Sequence, residues 1–100
     1  MEIQELQKKS EDIVNLIDKK LKVNHNDELV LMHLTEELDE IAREILNPKF
    51  NRDKKNTENI KDEIADIFLL TSKLADNNNI DIEEAVNNKI IKLKQRHNLQ

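Results

Sequence analysis

Two short acidic stretches contain the residues of this sequence whose types and spacing could do chemistry. Residues 34–41 read LTEELDEI and residues 60–67 read IKDEIADI. Each stretch carries two acids three positions apart, which are Glu37 with Glu40, and Glu63 with Asp66. Acids at this spacing point to the same side of a helix. Oxygen donors without a Cys or a paired His suit hard divalent cations such as Mg²⁺ or Mn²⁺.

Each acid pair lies beside the apolar stripe of its helix and not opposite it. In helical projection, Leu34 and Ile41 lie to one side of Glu37. The isoleucines of the second stretch take the matching places beside Glu63. If the two helices pack through these stripes, the acidic edges converge, and the like charges raise one another's pKa unless a cation binds. One copy alone would indicate a solvated helix face, whereas two matched copies leave a metal site and a solvated face as equal alternatives.

Basic side chains and one histidine could bind an anionic substrate near such a site. Three cations lie on one side of a C-terminal helical segment: Lys89, Lys92 and Arg96. They could hold phosphates, or they could compensate the dipole at the end of the helix. His33 lies one turn before Glu37, so it could contact a ligand or be an ordinary boundary residue. For His25, in the turn before this helix, the sequence indicates no partner.

The elements that must position these residues are helices. The chain of 100 residues has no Gly, one Pro and 2% aromatic residues, whereas β-proteins need turn glycines and strand aromatics. Apolar periodicity and cap residues predict four helices, over about residues 2–22, 28–46, 58–76 and 82–96. We therefore expect an all-α, four-helix, bundle-forming subunit, with residues 1–100 as a single domain.

Two local features define these elements further. The first helix is amphipathic, with an apolar stripe made by Ile3, Leu6, Ile13, Ile17 and Leu21. Pro48 ends the second helix, so residues 47–57 form the predicted loop.

Bulk composition limits the partners of the chain. A formal net charge of −5 and a pI near 5.2 exclude unaided binding of a nucleic acid polymer. The absence of Cys excludes disulfides and thiolate chemistry. No apolar run approaches the roughly 20 residues of a membrane span, and no signal segment is visible, so we expect a cytoplasmic protein without a membrane partner. So small a chain buries little surface, which favours a partner subunit.

The order of these motifs resembles that of the MazG-like nucleotide pyrophosphohydrolases, an all-α family of nucleoside triphosphate pyrophosphatases. An E-E-x-x-E motif (Glu36, Glu37, Glu40) is followed after some twenty residues by E-x-x-D and then by the basic helix. The likeness covers LMHLTEELDEIAREI and IKDEIADIFLLTSKLADNNNIDIEEAVNNKIIKLKQR. It implies hydrolysis of NTPs or dNTPs, often non-standard ones, to the monophosphate and pyrophosphate by a homodimer or homotetramer.

The resemblance also implies a role for each site residue. Four acids would bind Mg²⁺, with Mn²⁺ as a substitute: Glu37, Glu40, Glu63 and Asp66. Glu36 is left over from ligation and is our candidate for the general base. The phosphates would be held by Lys89, Lys92 and Arg96, and His33 is a further candidate to contact the substrate.

Several alternatives stay open at this point. The chain has no Trp or Tyr, so Phe50 or Phe68 would have to stack on a base. Phosphoribosyl-ATP pyrophosphohydrolases share the carboxylate scheme, but Thr35 stands where their first motif usually has Gly. A di-iron bundle would need Glu-x-x-His on two helices, which the two acid pairs do not provide. A non-catalytic helical oligomer that acts as an interaction module is the alternative from a different functional class.

Overall fold

The computed structural model describes residues 2–50 and 56–100, and within these ranges the chain is all-α. The helices are α1 (Ile3–Leu21), α2 (Asp27–Leu46), α3 (Thr57–Asn77) and α4 (Ile82–Arg96). The predicted fold class and the helix boundaries are confirmed to within about two residues. The predicted loop begins as a 3₁₀ turn at Asn47–Phe50, and its residues 51–55 lie outside the described ranges. No helix in these ranges is long and apolar enough to cross a bilayer.

Amide and carboxylate side chains fix where three of the helices begin. Asn26 caps α2 by accepting a hydrogen bond from the backbone N–H of Leu29 at 3.0 Å. Asn56 caps α3 in the same way, and Asp81 caps α4, as its position in the sequence predicts. At the other end of α1, Lys22 adopts a left-handed conformation with φ of 57°, which glycine usually takes. The caps set the starting points of α2 and α3, and therefore the relative position of the two acidic stretches.

Helices α2 and α3 pack side by side in opposite directions. At one end of the pair, the side-chain amide of Asn77 donates to Oδ1 of Asp27 at 3.1 Å. At the other end, the backbone N–H of Asn56 donates to Oε1 of Glu44 at 3.0 Å. Residues midway along α2 must therefore face residues midway along α3. This arrangement brings the two acidic stretches opposite each other.

The apolar core is small, and α1 faces it with polar residues. The buried apolar residues in the described ranges are Val14, Val30, Leu70 and Ala75. The side of α1 that packs on α3 buries Gln7, Ser10, Glu11 and Asp18 around Val14. The amphipathic helix predicted over residues 2–22 is present, but all the residues of its apolar stripe, from Ile3 to Leu21, are exposed. Apolar surface on α1 is thus left for something other than the core.

Helix α4 joins the rest of the chain mainly through α1. The side-chain amide of Gln7 donates to the carbonyl of Ile80 and accepts from the N–H of Ile82, both at 2.9 Å. Gln4 donates to Asp81 at 2.7 Å, so the start of α4 is fixed, while most of the helix is exposed. The radius of gyration is 16.3 Å, against about 13 Å for a compact domain of this length. The bundle is accordingly open, with α3 between α1 and α2 and with α4 at one side.

Candidate metal centre and nucleotide site

Three carboxylates converge between α2 and α3. Glu37 of α2 and Glu63 and Asp66 of α3 each bring one oxygen to within 4.8 Å of the others. Glu63 and Asp66 lie one turn apart on α3, and the antiparallel packing places Glu37 opposite them. We call these three residues, together with Glu40, the carboxylate cluster. Three of the four metal ligands predicted from sequence therefore meet in one place.

The acids of the cluster raise the pKa of two of its members, Glu40 and Glu63. The pKa of Glu40 is raised, chiefly because the Glu63 carboxyl lies within hydrogen-bonding reach and its charge opposes ionisation. The pKa of Glu63 is raised as well, first because the Glu37 carboxyl lies within hydrogen-bonding reach and then by burial, although Glu40 acts in the opposite direction. Glu40 is therefore coupled to the cluster even though it is exposed. Without a cation, Glu40 and Glu63 therefore ionise less readily than solvated carboxyls.

Two oxygens of the cluster are buried without a hydrogen-bond donor in the part of the chain that the structure describes. They are Oε2 of Glu37 and Oε2 of Glu63. A buried carboxylate oxygen without a donor is costly unless an ion or an ordered water satisfies it. Oxygen-only donors at this separation fit a hard divalent ion, for which Mg²⁺ and Mn²⁺ are the first candidates. The residues present therefore match the metal that the sequence implies.

The two remaining acids of LTEELDEI differ in their surroundings. Glu36 is exposed, and its charge contributes to the raised pKa of Glu40, which places Glu36 at the edge of the cluster. Asp39 pairs with Arg43 at 3.0 Å on the exposed surface of α2. Glu36 thus acts on an acid of the cluster, whereas Asp39 pairs with a base of its own helix.

His33 is held by a partner that the sequence did not indicate. Its Nδ1 lies 3.0 Å from Nε2 of His25, and the other ring nitrogen of His25 bonds the Asp18 carboxylate. The sequence assigned His25 no partner, and the structure corrects this. The contact depends on the turn after α1, whose path is set by Lys22 in its left-handed conformation. No periodic pattern in the sequence reports on such a turn.

A family model described as the MazG nucleotide pyrophosphohydrolase domain matches residues 25–99. The chain belongs to this family. No curated protein and no solved structure gives a significant match. The matched part contains α2, α3 and α4, with both acidic stretches, whereas α1 precedes it. Family membership indicates a nucleotide pyrophosphohydrolase and confirms the resemblance seen in the motifs.

The predicted phosphate ligands of the MazG domain lie on a different helix from the acids of the cluster. All three are exposed on α4, the helix that packs mainly on α1: Lys89, Lys92 and Arg96. Within the described ranges, no ion pair joins any of them to a residue of the cluster. Their role in phosphate binding therefore stays a prediction.

The two aromatic residues of the MazG domain differ in exposure. Phe50 is 65% exposed in the 3₁₀ turn after α2, whereas Phe68 is partly buried in α3, two residues beyond Asp66. An exposed ring is the better placed of the two to stack on a base. Stacking by Phe50 is likewise a prediction.

Proposed function

We propose that the chain is a Mg²⁺-dependent pyrophosphohydrolase that cleaves NTPs or dNTPs to the monophosphate and pyrophosphate. The observation that carries the proposal is the approach of three carboxylate oxygens, from Glu37, Glu63 and Asp66, to within 4.8 Å in a MazG domain. Removal of non-standard nucleotides from the cytoplasmic pool is the role that we propose for this activity, with residues 1–100 acting as one domain.

The acids have two roles in the proposed reaction. Glu37, Glu40, Glu63 and Asp66 would hold Mg²⁺, and Mn²⁺ could replace it. When bound, this ion neutralises the triphosphate and lowers the pKa of a coordinated water. Glu36, at the exposed edge of the cluster, would act as general base and take a proton from the attacking water. The water oxygen then bonds to the α-phosphorus, and the bond to the bridging oxygen breaks, so that pyrophosphate leaves.

Other side chains would bind the two ends of the nucleotide. Three bases of α4 are exposed and form no ion pair with the cluster in the part of the chain that the structure describes, so they are available to charged phosphates: Lys89, Lys92 and Arg96. His33 is partly buried one turn before Glu37 and would lie on the nucleoside side of the metal. These assignments follow the order of the motifs in the family and the helices that carry them.

We further propose that the enzyme is a homodimer or homotetramer. Several large apolar side chains lie on the surface of single helices: Leu16 and Leu21 are more than 60% exposed on α1, and Leu38 and Ile64 are 58% exposed on α2 and α3. Leu38 and Ile64 each neighbour a cluster acid in sequence, so an interface there would cover the metal site as well. Apolar surface of this kind is typical of subunit interfaces. Light scattering after gel filtration would measure the assembly, and a monomer would contradict this part of the proposal.

The activity is tested by pyrophosphate release from a panel of NTPs and dNTPs with Mg²⁺. We expect Glu37→Gln and Asp66→Asn each to lower kcat/KM by at least about 100-fold, since residues that only support a metal ligand already cost 10–100-fold when changed. Asp39→Asn, which removes an exposed acid of the same helix, is the matched control and should keep its activity. If wild type hydrolyses no triphosphate, the enzyme proposal fails and the chain is a non-catalytic interaction module. The exposed apolar residues would then be its binding surface.

A further inference from the structure

A second group of titratable side chains lies outside the carboxylate cluster and links three parts of the chain. His25, in the turn between α1 and α2, donates its backbone N–H to Oδ2 of Asp18 at 2.8 Å. Its ring Nδ1 contacts Oδ1 of the same carboxylate, and its ring Nε2 lies 3.0 Å from Nδ1 of His33. The side chains of Asp18 and His25 are only 11% and 13% exposed. We call Asp18, His25 and His33 the histidine relay.

The ionisation of Asp18 determines where the protons of the relay lie. Burial raises the pKa of this carboxyl, but the two hydrogen bonds from His25 and the charge of Lys73 lower it, and the net shift is downward. Asp18 is therefore a carboxylate, which can only accept hydrogen bonds. His25 must then carry a proton on Nδ1.

The position of this proton fixes the tautomer of both rings. A neutral imidazole has one N–H, so His25 with a protonated Nδ1 presents Nε2 as an acceptor. When both rings are neutral, the donor to that acceptor is Nδ1 of His33, which then carries the proton of its own ring. The remaining nitrogen of His33, Nε2, is left with a lone pair.

We propose that Asp18 and His25 are positioning residues that hold His33 in the Nδ1–H tautomer, so that its Nε2 accepts a hydrogen bond from a hydroxyl or amino group of the nucleoside. The inference rests on the proposed function. His33 precedes Glu37 by four residues, which is about 6 Å along the helix axis and nearly the same side of α2. If the phosphates bind at the cluster, the nucleoside extends along α2 toward His33. The lone pair on Nε2 of His33 then favours a nucleoside that has a hydrogen-bond donor at this position.

The relay also uses a part of the chain that the family match leaves out. Asp18 belongs to α1, whereas the matched residues begin at His25. The device therefore depends on the helix that precedes the matched domain, and it gives α1 a role in the site beyond packing on α3.

The tautomers can be read directly from ring ¹⁵N shifts in the full-length ¹⁵N-labelled protein, at about pH 8.5, where free histidine is neutral. We expect both His25 and His33 to be protonated on Nδ1 and not on Nε2. In Asp18→Asn the new side-chain oxygen must accept the backbone N–H of His25, so the new NH₂ faces ring Nδ1 and forces the opposite tautomer on both rings. Asp12→Asn, an exposed acid on the same helix, should leave both tautomers unchanged. A proton on Nε2 of His33 in wild type would overturn the proposal.

Kinetics separate positioning from a purely structural role. Asp18→Asn and His33→Asn should raise KM for the best triphosphate about tenfold with kcat changed less than about twofold, because an interaction that binds substrate and transition state alike is lost. In His33→Gln an amide oxygen can reach the place of Nε2, so KM should return toward the wild-type value. Unchanged KM in Asp18→Asn and His33→Asn, with reversed tautomers in the first, would refute the role in substrate binding.

A failure of the proposed function is distinguishable from a failure of this inference. If wild type releases no pyrophosphate, the activity is wrong, while the ring tautomers still report on the relay. The affinity for the same triphosphates with Mg²⁺, measured by calorimetry, then replaces KM in the comparison of variants. The inference fails if wild type and the Asp18→Asn variant bind these nucleotides equally, or if neither binds them.

Discussion

The substitution Glu63→Gln should make the metal-free protein more stable and at the same time abolish its response to Mg²⁺. Glu63 lies in the middle of the carboxylate cluster, where Glu37, Glu40 and Asp66 all act on its pKa. Because its pKa is raised on folding, the folded state binds more protons than the unfolded state just above the ordinary pKa of Glu. The contribution of Glu63 to the free energy of unfolding therefore falls as pH rises through that range. A neutral amide of the same shape removes this loss, so the variant should be more stable at neutral pH.

The effect of the metal on wild type can be estimated from mass action. At a Mg²⁺ concentration ten times Kd, binding to the folded state alone adds about 1.4 kcal/mol to the free energy of unfolding. For a chain of this length, about 4–8 °C per kcal/mol makes this a rise in Tm of about 6–11 °C. In Glu63→Gln one of the two buried oxygens without a donor is replaced or lost as a metal ligand. Its rise at the same Mg²⁺ concentration should be less than about 2 °C.

Differential scanning calorimetry at one protein concentration, with and without MgCl₂, measures both effects. KCl at matched ionic strength controls for screening, and Asp62→Asn, an exposed acid of the same helix, controls for loss of charge. The reasoning is refuted if KCl raises Tm as much as MgCl₂ does. It is refuted equally if Glu63→Gln keeps the full response, or if the metal-free variant melts below wild type at neutral pH.

Four further predictions follow from single side chains. The pKa of Asp18 is lowered on folding, so its contribution to stability is present above the ordinary pKa of Asp and is lost as pH falls through the lowered value. In urea unfolding at pH 7, the Asp18→Asn variant should therefore be about 1 kcal/mol less stable than wild type. This difference should shrink in acid. Ser72 is fully buried, and its hydroxyl has no hydrogen-bond partner among the described residues, so Ser72→Ala should be neutral or stabilise by up to about 1 kcal/mol in the same assay. Ser10→Ala, which loses a 2.8 Å bond to a backbone carbonyl, should instead destabilise by about 1 kcal/mol. The Lys89→Gln variant should raise KM for the triphosphate about tenfold. The control variant Lys94→Gln, on a different side of α4, should leave KM unchanged. Equal effects of the two substitutions would indicate only a general loss of positive charge.

The acidic site could be predicted from the sequence because each of its determinants is local. The caps at Asn26 and Asp81 and the stop before Pro48 fix the helices within a few residues of chain. The i, i+3 spacing then fixes the side on which Glu37 and Glu63 lie, and packing of the two helices through their apolar stripes brings those sides together. Chemistry that depends on helix periodicity is visible before any contact is known.

The relay and the orientation of α1 could not be predicted from the sequence. The relay depends on the path of a turn, and the orientation of α1 depends on contacts remote in sequence. Asp18 meets His25 only when the chain turns at Lys22 in a left-handed conformation, which sequence patterns do not assign to Lys. The apolar stripe of α1 predicts a buried side of this helix, but the pattern does not identify the surface that covers it. In the structure Gln7 is buried, where it bonds the turn before α4, while Ile13 and Ile17 face outward.

The outward apolar side of α1 could make the activity per chain depend on the protein concentration. Little free energy can come from a core with four buried apolar residues, so covering Ile13, Leu16 and Leu21 by a second copy would supply a large share of the stability. The folded fraction would then depend on how often two chains meet, and would rise with total concentration. Halving the number of chains in a cell would remove more than half of the working enzyme, and dilution alone would act as an off switch.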